Sequence, residues 1–74
     1  MKVPIVYEPV DDAGFPKGYY YAHLVGLGLT THGKGIEGAG AAAQDLIKLW
    51  IEEKEAQGEP CPVFHDLLVG TVEV

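Results

Sequence analysis

One segment, residues 18–62, constrains the fold of this 74-residue chain more than any other part of the sequence. It begins with an aromatic run, Tyr-Tyr-Tyr at residues 19–21, and continues through a turn that is rich in glycine at residues 26–35. A long pattern of apolar residues at helical spacing follows. The segment then closes on Gly58 and Pro60, which are typical of a helix end. This order predicts one long helix packed against the strands that precede it.

The helix is predicted over residues 36–57. Seven apolar residues fall on one stripe at i, i+3, i+4 and i+7 spacings: Ile36, Ala39, Ala43, Leu46, Ile47, Trp50 and Ile51. The start is weak, because Gly35 is a modest N-cap and Gly38 and Gly40 each cost about 1 kcal/mol relative to alanine. We therefore expect the first turn to be held by a close approach of helix and sheet, which only small residues allow.

Four strands are predicted, at residues 2–8, 19–25, 27–31 and 67–74. Between the first two lies a cluster of proline, aspartate and glycine at residues 9–17, which cannot continue a ladder and favours a long turn. Gly70 marks a possible bulge in the last strand. The predicted fold class is α+β, with one long helix on one face of an antiparallel sheet, in the order β-β-β-α-β.

The second strand is apolar on both faces. Tyr20, Ala22 and Leu24 alternate with a second set that comprises Tyr19, Tyr21 and Val25. A single helix covers only one face of a sheet, so the other face is predicted to be an interface. We expect a homodimer or higher homo-oligomer, in which one of Tyr20 and Tyr21 is core and the other interfacial. The alternative is that the long loop covers these tyrosines.

The charge balance indicates the class of partner. Eleven Asp and Glu against five Lys and Arg give a formal net charge of −6. Nucleic-acid binders show the opposite balance, so direct binding to DNA or RNA is not expected. A basic protein partner fits better, since opposite fields speed and orient association. The predicted partner-binding residues are Tyr20, Tyr21, Glu52, Glu53 and Glu55. The alternative is that the charge only maintains solubility.

Composition also bears on the compartment. The single cysteine, Cys61, excludes an intrachain disulfide and fits a reducing environment. Met1 and Lys2 are followed at once by Pro4 and Glu8, so no signal peptide is expected. No apolar run approaches the roughly 18 residues that span a bilayer. We expect a soluble cytoplasmic protein without a membrane partner.

Two patterns could suggest other chemistry. Residues 33–38 read Gly-Lys-Gly-Ile-Glu-Gly, which is a literal G-x-G-x-x-G, but a hairpin precedes them rather than a βαβ unit. Cys61 and His65 are four residues apart, yet a structural zinc site needs four ligands. We therefore predict no catalytic residue, no metal, no cofactor and no enzyme. The alternative function is a small-ligand-binding or catalytic domain that uses the glycine turn at Gly33 and Gly35 with the nearby His32.

The order and spacing of several motifs over residues 18–62 resemble those of the N-terminal domain of the HicB family. Three residues fall on the family's Gly-Cys-x-Thr-x-Gly turn: Gly28, Thr31 and Gly33. Ala39 and Ala43 match its helical alanines. Residues 47–52 match its Ile-x-Leu-Trp-Leu-Glu helix end, and the exit matches at Gly58, Pro60 and Pro62. The family's Pro-Asp-Leu-Pro before the turn is Leu-Val-Gly-Leu here, at residues 24–27.

HicB proteins are the antitoxin half of a bacterial toxin–antitoxin pair. The resemblance implies a single HicB-like domain over residues 1–74, without the DNA-binding extension that longer members carry. It also implies that the chain, as an antitoxin or a solitary relative, binds and masks a small basic RNA-cleaving toxin of the HicA type.

Overall fold

A computed structural model of the protein describes residues 2–60, 64 and 67–74. It contains three strands, β1 (Ile5–Pro9), β2 (Tyr19–Leu24) and β3 (Leu29–Lys34), followed by one helix, α1 (Gly35–Ala56). The predicted α+β class is confirmed: an antiparallel sheet is followed by a single long helix. Two strands are shifted from their predicted bounds: β1, predicted over residues 2–8, begins three residues later, and β3, predicted over residues 27–31, lies two to three residues later.

The three strands form an antiparallel meander in the order β1-β2-β3. Leu24 of β2 lies opposite Ile5 on one side and Leu29 on the other. The β1–β2 connection contains the predicted turn, in which the Asp12 carboxylate accepts a hydrogen bond from the amide of Gly14 at 3.0 Å. Alternate residues of each strand share a face, so this register decides which side chains meet the helix.

The core lies between the sheet and α1. Among the described residues, four side chains are fully buried: Ala22, Leu24, Ala39 and Ala43. Because three of the four are alanines, the helix can approach the sheet closely, as the weak helix start predicted. Tyr20 packs against this core from the same face. The apolar stripe of the helix is confirmed except at Ile36, which is 53% exposed because it stands in the first turn, at the margin of the contact.

The start of α1 explains the glycine motif. A Cβ atom added to Gly33 would overlap the backbone of Gly38 and Ala39, so strand and helix touch at this point. Gly35 begins the helix with a φ of 69°, in the left-handed region that favours glycine. Its amide donates a hydrogen bond of 2.6 Å to the carbonyl of Gly18. The glycines therefore serve the junction between β3 and α1.

The helix ends where the sequence predicted. Gly58 has a φ of 71°, and its amide donates to the carbonyl of Glu55 at 3.0 Å. The next amide, of Glu59, donates to the carbonyl of Lys54 at 2.9 Å. These two bonds form a Schellman motif, which satisfies carbonyls that the last turn leaves free.

The last strand of the prediction is wrong for the chain as the structure describes it. Residues 67–74 form neither strand nor helix. They donate and accept no backbone hydrogen bond to the other described residues, so they have no neighbouring strand to complete a ladder. Cys61, His65 and Asp66 lie outside the described residues. In the part of the chain that is described, no helix is long and apolar enough to cross a membrane.

Candidate protein-binding surfaces

The five predicted partner-binding residues do not form one site. Tyr20 faces the helix and packs against the core, whereas Tyr21 lies on the opposite face of the sheet. The prediction that the two side chains point to opposite faces is confirmed. Glu52, Glu53 and Glu55 lie near the end of α1. Two surfaces must therefore be considered separately, one on the helix and one on the open face of the sheet.

The first surface, which we call the acidic helix surface, comprises Asp45, Leu49, Glu52, Glu53 and Glu55. All five side chains are exposed. Asp45 and Glu52 are seven residues apart and so share one face of the helix, with Leu49 between them along the chain. Leu49 is 60% exposed, so the surface combines negative charge with an apolar side chain at its centre.

Two lysines lie within residues 45–55: Lys48 is exposed, four residues before Glu52, and Lys54 is turned toward the helix end. The ammonium of Lys54 donates to the carboxylate of Glu59 at 2.6 Å and lies 5.5 Å from the centre of the Trp50 ring. Within residues 2–60, 64 and 67–74, no ion pair within 4 Å engages Glu52, Glu53 or Glu55. Three carboxylates therefore stand near one free lysine, Lys48, which leaves a net negative charge at this end of the helix, and as carboxylates in the last turns they oppose the helix dipole. This arrangement favours a cationic partner over a role in helix stability.

The second surface is the open face of the sheet, where aromatic rings gather. Phe15, from the β1–β2 connection, lies with its ring centre 5.9 Å from that of Tyr19, 6.2 Å from that of Tyr21 and 5.1 Å from that of His32. These distances are in the range of favourable aromatic contacts. The loop therefore covers part of the face that the sequence predicted to be free, which supports the alternative that was left open for the tyrosines.

A hydrogen-bonded chain crosses all three strands on the same face. A carboxylate only accepts, so Nε2 of His23 donates to Oε1 of Glu8 at 2.9 Å. In the neutral ring Nδ1 then accepts from the hydroxyl of Thr30 at 3.0 Å. The order hydroxyl, imidazole, carboxylate is that of a hydrolase triad. However, the side chain of His23 is 37% exposed and that of Glu8 is 61% exposed. These three hydrogen-bonded side chains therefore lack the water-excluded setting that such catalysis uses.

The sequence pointed to the tyrosines of this open face, and to His32 only for a different site; Glu8, Phe15, His23 and Thr30 were missed. The alternation of side chains along each strand could have located two of them. Once Tyr21 is paired with Glu8 and His32, the register pairs His23 with Thr30 two residues further along the same face. Phe15 could not be found in this way, because its place depends on how the loop folds back.

The other predicted sites gain no support from the geometry. Gly33 has no room for a ligand beside Gly38, and the amide of Gly35 is already bonded to Gly18. His32 is packed edge-on against Phe15 instead of facing this turn. Across the described residues, no group of three or more His, Cys, Asp or Glu could hold a metal ion.

Comparisons with known proteins add no relative: no family model, no curated protein and no solved structure matches the chain. The features of this chain that bear on its function are therefore the acidic helix surface, the open sheet face and the resemblance carried by residues 18–62.

Proposed function

We propose that the chain is a HicB-like antitoxin or a solitary relative, which binds and masks a small basic RNA-cleaving protein of the HicA type. The observation that carries the proposal is the acidic helix surface, with exposed carboxylates at Glu52, Glu53 and Glu55 that form no ion pair within 4 Å with any described residue. The order of three strands and a helix agrees with the domain that the resemblance implies. Cytoplasmic location and the absence of direct nucleic-acid binding belong to the same proposal.

Charge and shape give this surface a physical role in association. A negative patch attracts a positive one over several ångströms and orients the encounter, which raises the association rate. Charged residues at the rim of an interface act mainly in this way, whereas a central apolar side chain excludes water and slows dissociation. Leu49, surrounded by the acids, is placed for that second role.

Co-expression with a basic toxin-like protein encoded beside the gene is expected to restore growth of cells that the toxin arrests. In purified form, the double variant Glu52→Lys/Glu55→Lys is expected to bind that protein with an association rate lowered about tenfold and a dissociation rate little changed. Rising salt should narrow the difference in association rate between variant and wild type, because exposed charges are screened. Stopped-flow binding at several ionic strengths measures the association rate, the dissociation rate and the salt dependence.

The matched control is Asp11→Lys/Asp12→Lys, which makes the same change in net charge on the exposed β1–β2 connection. It should leave the association rate within about twofold of wild type, because its charges lie away from the proposed contact. Equal slowing in both variants would mean that net charge, and not the acidic helix surface, controls binding.

The proposal also predicts that the chain itself does not cleave RNA. The sequence holds no paired acids with a metal-binding spacing, and the chain from Thr30 through His23 to Glu8 is exposed to water. Purified protein should leave single- and double-stranded RNA intact in the presence of magnesium or manganese. Cleavage that persists through purification and is lost in Thr30→Val, His23→Gln, Asp11→Asn, Asp12→Asn or Asp45→Asn would refute this prediction.

A further inference from the structure

Three polar side chains form a hydrogen-bonded row across the open face of the sheet, one from each strand. Glu8 of β1 and Thr30 of β3 both contact the ring of His23 in β2, at 2.9 and 3.0 Å respectively. Thr30 is the direct cross-strand partner of His23, whereas Glu8 reaches the ring from the position opposite Tyr21. The row therefore depends on the register of the whole sheet, because each of its members lies on a different strand.

The hydrogen bonds fix which nitrogen of the neutral His23 ring carries the proton. The carboxylate of Glu8 only accepts, so the ring proton lies on Nε2. The lone pair of Nδ1 then points at the hydroxyl of Thr30, which donates to it. A hydroxyl held against a base in this way is activated as a nucleophile, because the base removes its proton during the attack.

Thr30 is also open to a reagent from outside. In the described sheet β3 is an edge strand, and the side chain of Thr30 is exposed. The amide of Gly35 donates to the carbonyl of Gly18, so the odd-numbered residues of β3 are those that bond to β2. The N–H of Thr30 therefore points to the free edge of the described sheet. It offers one donor to negative charge that develops on an acyl group at its own Oγ1, a role that such amides have in acyl transfer.

We propose that Thr30 is an acyl-accepting site, in which His23 is the base and Glu8 is the positioning residue. The acyl donor is a small activated ester whose leaving group departs as a stable anion. Oγ1 of Thr30 forms a bond to the carbonyl carbon, and its proton passes to Nδ1 of His23. The bond from that carbon to the leaving group breaks, and the leaving group takes the electron pair. The imidazolium then gives its proton to water.

The exposure that makes Thr30 accessible also stops the chemistry after one transfer. Removal of the acyl group requires a positioned water molecule and the departure of a threonine alkoxide, which is a poor leaving group, in a site that is open to solvent. One acyl group per chain therefore accumulates, and no turnover follows. This modification stands independently of toxin binding, and it agrees with the expectation that the chain does not cleave RNA.

The chain has three threonines and no serine, which gives the test an internal reference. Thr71 is exposed, and no hydrogen bond from another described side chain engages its hydroxyl. Full-length protein is treated with 4-nitrophenyl acetate, a neutral activated ester, and digested with trypsin. Mass spectrometry then follows Thr30 and Thr71 on separate peptides, and fragmentation distinguishes Thr30 from Thr31. We expect Thr30 to be acetylated at least about 100-fold faster than Thr71, because general-base assistance has effects of this size.

Three variants separate the base from the rest of the open face. His23→Gln should lower the acetylation rate of Thr30 to that of Thr71, a loss of about 100-fold. His32→Gln is the matched control: it removes the other imidazole of this face and should leave the rate within about twofold of wild type. Glu8→Gln should lower the rate at least about tenfold, because an amide that donates to Nε2 moves the ring proton to Nδ1 and removes the base. Circular dichroism checks that each variant keeps the fold.

A second measurement on wild type keeps the test independent of the variants. In urea the folded arrangement is lost, so Thr30 and Thr71 should be acetylated at similar rates. Equal rates at the two threonines in the folded protein would overturn the proposal. A wild-type rate in His23→Gln, or a loss in His32→Gln as large as that in His23→Gln, would overturn it as well.

Discussion

Gly33→Ala is expected to lower the free energy of unfolding by about 3 kcal/mol, since overpacking at a rigid contact has costs of this size. The added Cβ would overlap the backbone of Gly38 and Ala39, and backbone cannot move aside as the end of a flexible side chain can. Relief requires α1 to move away from the sheet, which separates Ala39 and Ala43 from Ala22. Urea unfolding followed by circular dichroism measures the effect.

Gly38→Ala is the matched control on the other side of the same contact. A Cβ atom there would be 3.5 Å from the nearest atom of Gly33, an ordinary van der Waals distance. Alanine is also favoured over glycine within a helix by about 1 kcal/mol. We therefore expect Gly38→Ala to be neutral or stabilising. Similar losses in both variants would mean that the Gly33 contact is not the point of closest approach.

Leu24→Ala is the second substitution with a large expected effect, a loss of about 3 kcal/mol. Leu24 is 1% exposed and is the only large side chain among the described residues that is fully buried. It lies opposite Ile5 and Leu29, so its removal leaves a cavity in the middle strand. A domain of this size has a total stability of roughly 4–11 kcal/mol, and the variant should therefore melt well below the wild type.

Leu49→Ala gives the comparison for Leu24→Ala, because it removes the same atoms from an exposed position of the helix. Its effect on stability should stay within about 0.5 kcal/mol, while its binding to the proposed basic partner should weaken. Thermal unfolding of both variants in the same buffer measures the difference. Equal destabilisation would contradict the assignment of Leu24 to the core and Leu49 to the surface.

Much of the fold could be predicted from local chemistry. The helix end at Gly58 and the stripe through Ala39 and Ala43 depend on residues near one another in the chain, so spacing alone located them. Residues 67–74 were harder. Their apolar residues predicted a strand, but a strand forms only beside a neighbouring strand, and the local sequence does not supply that neighbour.

The sequence predicted the charge of the acidic helix surface but not the side-chain contacts around the two candidate surfaces. Glu52, Glu53 and Glu55 follow from composition and helical spacing. That Lys54 turns away to Glu59 depends on the Schellman turn, and that Phe15 covers Tyr21 depends on the loop; neither contact has a local signature. The register fixed which of Tyr20 and Tyr21 faces the helix, and that choice required the positions of both neighbouring strands.

Affinity capture from the native host tests the central claim most directly. Wild type and Glu52→Lys/Glu55→Lys, each at native expression level, serve as baits, and bound proteins are identified by mass spectrometry. The proposed function predicts that a small basic protein is enriched on wild type and lost from the variant, and that RNA cleavage by the released protein is blocked when wild type is added back. The absence of any basic partner on wild type, or equal capture by both baits, would contradict the claim.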